Sequence, residues 1–159
     1  VYGFGASLGW KGFDVSVFFQ GVGNIKFSIL SSLTCPFINV AMAQGNILSD
    51  VVDNYWTPGK EDAIYPRLTR GAVTNNNQTS SFWLRDGSYL RLKNAEIGYT
   101  LPSRITRNIN VSSLRFYVSG DNLLCFSPFK LWDPDQNISS GATQYPTNRT
   151  ICLGVNVSF

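Results

Sequence analysis

The feature that most limits what this chain can fold into is a period of two that returns in segments of about ten residues. In residues 1–10, Tyr2, Phe4, Ala6, Leu8 and Trp10 share one parity, while Gly3, Gly5, Ser7 and Gly9 share the other. Successive side chains of a strand point to opposite faces, so this pattern describes a strand with one apolar face. Lys11-Gly12 is a two-residue turn signal, after which Phe13, Val15, Val17 and Phe19 alternate with Asp14, Ser16 and Gln20, Phe18 excepted. In residues 89–100 the apolar phase changes midway, from Leu90 and Leu92 to Ala95, Ile97 and Tyr99. A β-bulge, or an end extending beyond a membrane, would account for the change. Leu114, Phe116 and Val118 then oppose Arg115, Tyr117, Ser119 and Asp121, and Ile151, Leu153, Val155, Val157 and Phe159 oppose Cys152, Gly154, Asn156 and Ser158.

The connections between these segments are unequal. Residues 22–88 hold no long alternating strand, which is too much chain for an ordinary link and predicts a structured, functional loop. Within it, Ile47, Leu48, Val51, Val52 and Tyr55 fall at helical spacing, with Asn46 as N-cap, and Trp56-Thr57-Pro58-Gly59 ends the helix. A second Pro- and Asn-rich loop spans about residues 127–147. Short connections at 11–12 and 102–112 therefore alternate with long ones. Strands of this length with sided loops are the signature of an outer-membrane barrel with periplasmic turns and extracellular loops. Five strands cannot close a barrel, and open edges are untenable in lipid, so further strands are expected upstream and the last strand is expected to end in the periplasm.

Composition narrows the chemistry. Only 14% of residues are charged, against roughly 25% in soluble proteins, and 14% are aromatic. The net charge of +3 is spread along the chain and forms no basic stripe, so nucleic acid is not expected as a partner. The absence of His removes Ser-His-Asp and Cys-His catalysis and imidazole metal ligation, and neither an enzyme activity nor a cofactor is expected. Cys35, Cys125 and Cys152 have no CxxC spacing and indicate neither a disulfide framework nor a zinc site. No run of about 18 apolar residues and no signal peptide are present; an export signal is expected upstream.

The stretch Ser81-Phe82-Trp83-Leu84-Arg85-Asp86-Gly87-Ser88-Tyr89-Leu90-Arg91-Leu92-Lys93-Asn94, continuing to Ile97-Gly98-Tyr99-Thr100-Leu101-Pro102, resembles the SusC/RagA family of TonB-dependent transporters. Lys11-Gly12-Phe13-Asp14, Phe18-Phe19-Gln20-Gly21, Tyr55-Trp56-Thr57-Pro58, Tyr65-Pro66-Arg67-Leu68 and Tyr117-Val118-Ser119-Gly120-Asp121-Asn122-Leu123 match as well, so the resemblance covers nearly the whole chain. It implies an all-β fold: the last five strands of a plugged, 22-stranded antiparallel transmembrane barrel with long extracellular loops. It further implies import of oligosaccharides or peptides across a Gram-negative, Bacteroidetes-type outer membrane. The implied partners are a SusD-like surface lipoprotein and, through an N-terminal plug region not in this sequence, the TonB–ExbB–ExbD complex. Val155, Val157 and Phe159 resemble the signal recognised by the outer-membrane barrel assembly machinery; Phe159 is equally a lipid-facing aromatic. The three cysteines, and a Leu131-Trp132-Asp133-Pro134-Asp135 segment that only approximates the family's aromatic-Asp-Pro-Glu element, depart from the pattern.

Candidate contacts fall in two places. In the loops, Tyr55, Trp56, Trp83 and Trp132 could stack on sugar rings or dock a partner, or they could anchor the loops internally. Arg67, Arg70, Arg85 and Asp86 could meet substrate or the lipoprotein lid, or form loop salt bridges. Asp14, Arg115 and Asp121 are expected to face the lumen, lining the solute path or pairing with the plug. Asp133 with Asp135, and Glu61 with Asp62, sit in no recognisable calcium or glycosidase context, so no metal is expected. Sequons at Asn77, Asn110, Asn137 and Asn148 would suit the rival reading, a secreted soluble β-sandwich that binds glycans or mediates adhesion.

Overall fold

The computed structural model describes residues 1–31, 34, 47–69, 73–136, 145 and 147–159. Asn46, Cys35, Arg70 and Asn137 lie outside the described residues. The strands are β1 (Tyr2–Trp10), β2 (Phe13–Val22), β3 (Lys26–Ser28), β4 (Leu84–Asp86), β5 (Tyr89–Thr100), β6 (Ser113–Phe126) and β7 (Thr150–Ser158), with short helices α1 (Ser49–Asn54) and α2 (Ser103–Thr106). They fall into two compact units: residues 1–24, 87–128 and 146–159 form a sheet unit, and residues 25–86 and 129–145 form a loop unit.

The sheet unit is one antiparallel sheet in the order β1-β2-β5-β6-β7. Its register aligns Trp10, Phe13, Tyr99, Phe116 and Val155 as one apolar row across all five strands. The adjoining row, Gly9, Asp14, Gly98, Tyr117 and Gly154, lies on the opposite face. Period two in the sequence has thus become two faces, as pleating requires. At the hairpin, Lys11 and Gly12 adopt φ of 46° and 90°, the left-handed pair that a tight two-residue turn needs to match strand twist.

The phase change in the third segment is a bulge. Phe18 pairs with Asn94, but its neighbour Phe19 pairs with Leu92, leaving Lys93 as the extra residue. Ala95 sits beside Val17 and Leu92 beside Phe19, so both halves of the apolar pattern stay on one face. Lys93 Nζ donates to Asn122 Oδ1 at 3.1 Å, and Asn122 itself is left-handed at φ 53°, where β6 departs from regular register with β5.

The unequal connections are sided. Pairs Val22–Tyr89, Leu90–Phe126 and Asp121–Thr150 lie towards one end of the sheet, where both long connections leave. Pairs Trp10–Phe13, Thr100–Arg115 and Ser113–Ser158 mark the other end, whose connections are the Lys11-Gly12 turn and residues 101–112. The latter contain α2 and a 3-10 turn, Arg107–Ile109, closed by left-handed Asn110. No helix of the described residues is long and apolar enough to cross a membrane.

The loop unit contains a core of its own. Ile29, Val51, Tyr65, Trp83 and Phe129 are buried together, with Phe27, Leu48, Leu131 and Trp132 packed around them. The predicted helix is real but shorter than its apolar spacing suggested: it starts after Leu48, which provides no side-chain cap, and ends at Asn54. Tyr55 instead forms a backbone bridge with Tyr65, and Trp56 N donates to Tyr65 O at 3.0 Å, so pairing with a distant segment ends the helix before Pro58 can. Two strands absent from the sequence reading, β3 and β4, pair with each other across the whole insertion.

Candidate functional site

On the polar face of the sheet, three strands converge on Arg115. Its Nε donates to Asp14 Oδ1 at 3.0 Å, its Nη2 donates to Asp14 Oδ2, and Nη2 also reaches Glu96 Oε1 at 2.6 Å. The group links β2, β5 and β6 and holds one more carboxylate than cation. The guanidinium also lies 5.1 Å from the ring centroid of Tyr117, a cation–π distance. Space for this comes from glycine: a Cβ at Gly98 would clash with the Arg115 guanidinium, and one at Gly154 with the Tyr117 ring. Farther along the same face, Asn94 donates to Asp121 Oδ1. Asp14, Arg115 and Asp121 therefore share one face with Tyr117, as its parity implied, and register adds Glu96 and Asn94, which single-strand reading left unassigned.

In the loop unit the aromatic candidates separate. Trp83 is only 1% exposed and donates its indole N–H to Asn76 O at 2.9 Å, which makes it an internal anchor. Trp132 packs edge-on against Phe129 at 4.7 Å, while its Nε1 is buried with no hydrogen-bond partner among the described residues. Tyr55 is half-buried against the same core. Trp56 is 40% exposed. It lines, together with Arg67, Asn75, Asn76, Ser80 and Phe82, a cavity of about 430 Å³ whose wall includes Trp83.

The charged loop candidates divide too. Arg85 is committed to carbonyls, donating to Phe82 O at 2.8 Å and Ile64 O at 3.3 Å, and so ties the two walls of the cavity together. Asp86 is exposed and pairs by backbone register with Lys26. Asp50, from the first turn of α1, accepts a 2.6 Å hydrogen bond from the Tyr65 hydroxyl. Burial first, and then this bond, hold the Tyr65 phenol well above its ordinary pKa. Asp133 accepts from Asp135 N at 3.0 Å, a local turn, and no group of three or more potential metal ligands occurs among the described residues. In β7, Val155 and Val157 lie on the exposed apolar face, followed by exposed Phe159.

No family model matches the chain. The TonB-dependent receptor P3 of Formosa agariphila is 31% identical over 170 residues, covering 99% of this chain and 16% of the relative. TonB-dependent receptor P26 of the same organism is 32% identical over 171 residues, covering the whole of this chain and 17% of the relative. The fold agrees: the chain matches the RagAB peptide importer in its open-open state with a TM-score of 0.73 and 26% identity over 99% of its length. The chain belongs to the SusC/RagA-like TonB-dependent receptors. It is an outer-membrane protein of a Gram-negative bacterium, which sets aside the secreted sandwich. The closed-closed state of RagAB matches with a TM-score of 0.71 and 26% identity. The chain spans about one-sixth of the length of these curated relatives, and its sheet matches the barrel region of this family's fold.

Proposed function

We propose that the intact receptor imports oligosaccharides or peptides across the outer membrane, and that this chain supplies the last five strands of its 22-stranded, plugged barrel. The observation that carries this reading is the two-faced sheet. Leu8 and Leu153 stand 74% and 82% exposed on a face that is apolar in all five strands, while the opposite face holds a hydrogen-bonded charge cluster. Lipid supplies the missing contact for the first face and a polar lumen solvates the second. No reaction is catalysed.

In this reading Asp14, Arg115 and Asp121 face the lumen, where their cluster lines the solute path or pairs with the plug. Long connections face the cell exterior and the short ones the periplasm. Trp56, Arg67 and Asp86 are assigned to contacts with substrate or with a SusD-like lipoprotein lid, whereas Tyr55, Trp83, Arg85 and Trp132 hold the loops in shape. The TonB–ExbB–ExbD complex acts through a region outside this sequence, and Val155, Val157 and Phe159 guide the barrel assembly machinery.

Surface labelling of the full-length protein in intact cells tests the orientation. Single cysteines are placed in the 11–12 turn or at Asn76, with Cys35, Cys125 and Cys152 replaced. Labelling at Asn76 alone is the expected result. Equal labelling at both positions, or recovery of the protein in the soluble fraction, would remove the importer reading.

A further inference from the structure

The cavity in the loop unit holds more polar capacity than loop packing uses. Among the described residues Arg67 has no ion-pair or hydrogen-bond partner, and the side chains of Asn75, Asn76 and Ser80 form no hydrogen bond, although all four line the same space. Among the described residues no Asp or Glu lines it, so the guanidinium leaves the cavity cationic. Two aromatic side chains, Trp56 and Phe82, line it while standing 40% and 47% exposed. Its volume of about 430 Å³ falls in the range of small-ligand sites.

Each group has a ligand chemistry. A planar guanidinium pairs bidentately with a carboxylate. Aromatic faces take up the apolar face of a ring, and amides and a hydroxyl both donate to and accept from ligand hydroxyls. An extended peptide would instead seek main-chain pairing at a strand edge. The unit's strands, β3 and β4, are three residues each, and neither lines the cavity.

We infer that this cavity binds a carboxylate-bearing oligosaccharide of the uronic-acid type. Arg67 pairs with the carboxylate, Trp56 and Phe82 cover ring faces, and Asn75, Asn76 and Ser80 hold the hydroxyls. The assignment rests on the importer reading and narrows its solute class.

The test is calorimetric titration of the full-length receptor in detergent with trimers of galacturonate, glucuronate and mannuronate, using maltotriose and trialanine as neutral-sugar and peptide probes. Binding of at least one acidic trimer is expected, weakened about tenfold to a hundredfold by Arg67→Gln. Arg67→Lys, which keeps the charge but loses the planar fork, is expected to fall between, and Trp56→Ala gives a loss independent of charge. Retained heat-modifiable migration shows that each variant is folded. Absence of binding to all acidic trimers, unchanged affinity in Arg67→Gln, or binding of trialanine in their place would overturn the assignment. If labelling has shown the expected sidedness, such a failure removes the cavity assignment and leaves the importer reading standing; a soluble protein removes both.

Discussion

In the loop unit Ile29, Val51, Tyr65, Trp83 and Phe129 are buried against one another, whereas in the sheet unit Leu8, Ile151 and Leu153 stand 74%, 67% and 82% exposed on a uniformly apolar face. The loop unit hides its apolar groups from water as a small soluble domain does. The sheet unit turns them outward, which is stable only where the surrounding solvent is itself apolar. On the importer reading proposed above, one chain obeys two solvents, and a substitution should act differently in each half.

The largest expected effect is in the loop core. Trp83→Ala removes the buried indole and its bond to Asn76, which we expect to cost about 3–5 kcal/mol of loop-unit stability. Limited proteolysis of the membrane-embedded receptor should then cut between residues 47 and 86, while heat-modifiable migration of the barrel stays unchanged. Loss of both together would mean that the two halves fold as one cooperative unit, and the comparison would fail.

A charge on the apolar face breaks the comparison from the other side. Leu153 is in mid-strand and almost fully exposed, so in water Leu153→Arg would change stability by no more than about 0.5 kcal/mol. In lipid the same change should cost about 2–4 kcal/mol near the bilayer midplane. Equilibrium unfolding from lipid vesicles distinguishes the two values, and a near-zero result would place this face away from lipid.

The two halves also differed in how much of them was legible from sequence. The sheet was visible because one residue's parity settles its face: Phe13, Val15 and Val17 announce β2 without knowledge of any neighbour. The lys-gly turn and the bulge in β5 were visible for the same reason, as a turn signal and as a break in phase. What parity leaves out is which residues meet across strands. Arg115 with Asp14 and Glu96 required the register, which no single strand contains. In the loop unit, local signals failed sooner. β3 and β4 are too short to show alternation, and α1 is truncated by the pairing of Tyr55 with Tyr65, a tertiary contact that overrides helical spacing. Trp83 and Trp56 are indistinguishable as letters and both border the cavity, yet one is a buried anchor and the other is 40% exposed.

The smallest effect sharpens the contrast through pH. Tyr65 is buried and donates to Asp50, so its folded-state pKa lies above the ordinary value of about 10. A phenol with a raised folded pKa lends stability that is complete below the unfolded value and is lost as pH rises through the folded one. The loop unit should accordingly become more protease-sensitive as pH climbs above about 10. Tyr65→Phe keeps the ring, abolishes that dependence and leaves Asp50 Oδ2 without its donor, at a cost of about 1–3 kcal/mol at neutral pH. If the variant retained the same alkaline loss, titration of another group would be responsible and the Tyr65–Asp50 bond would not be what joins α1 to the 55–65 segment.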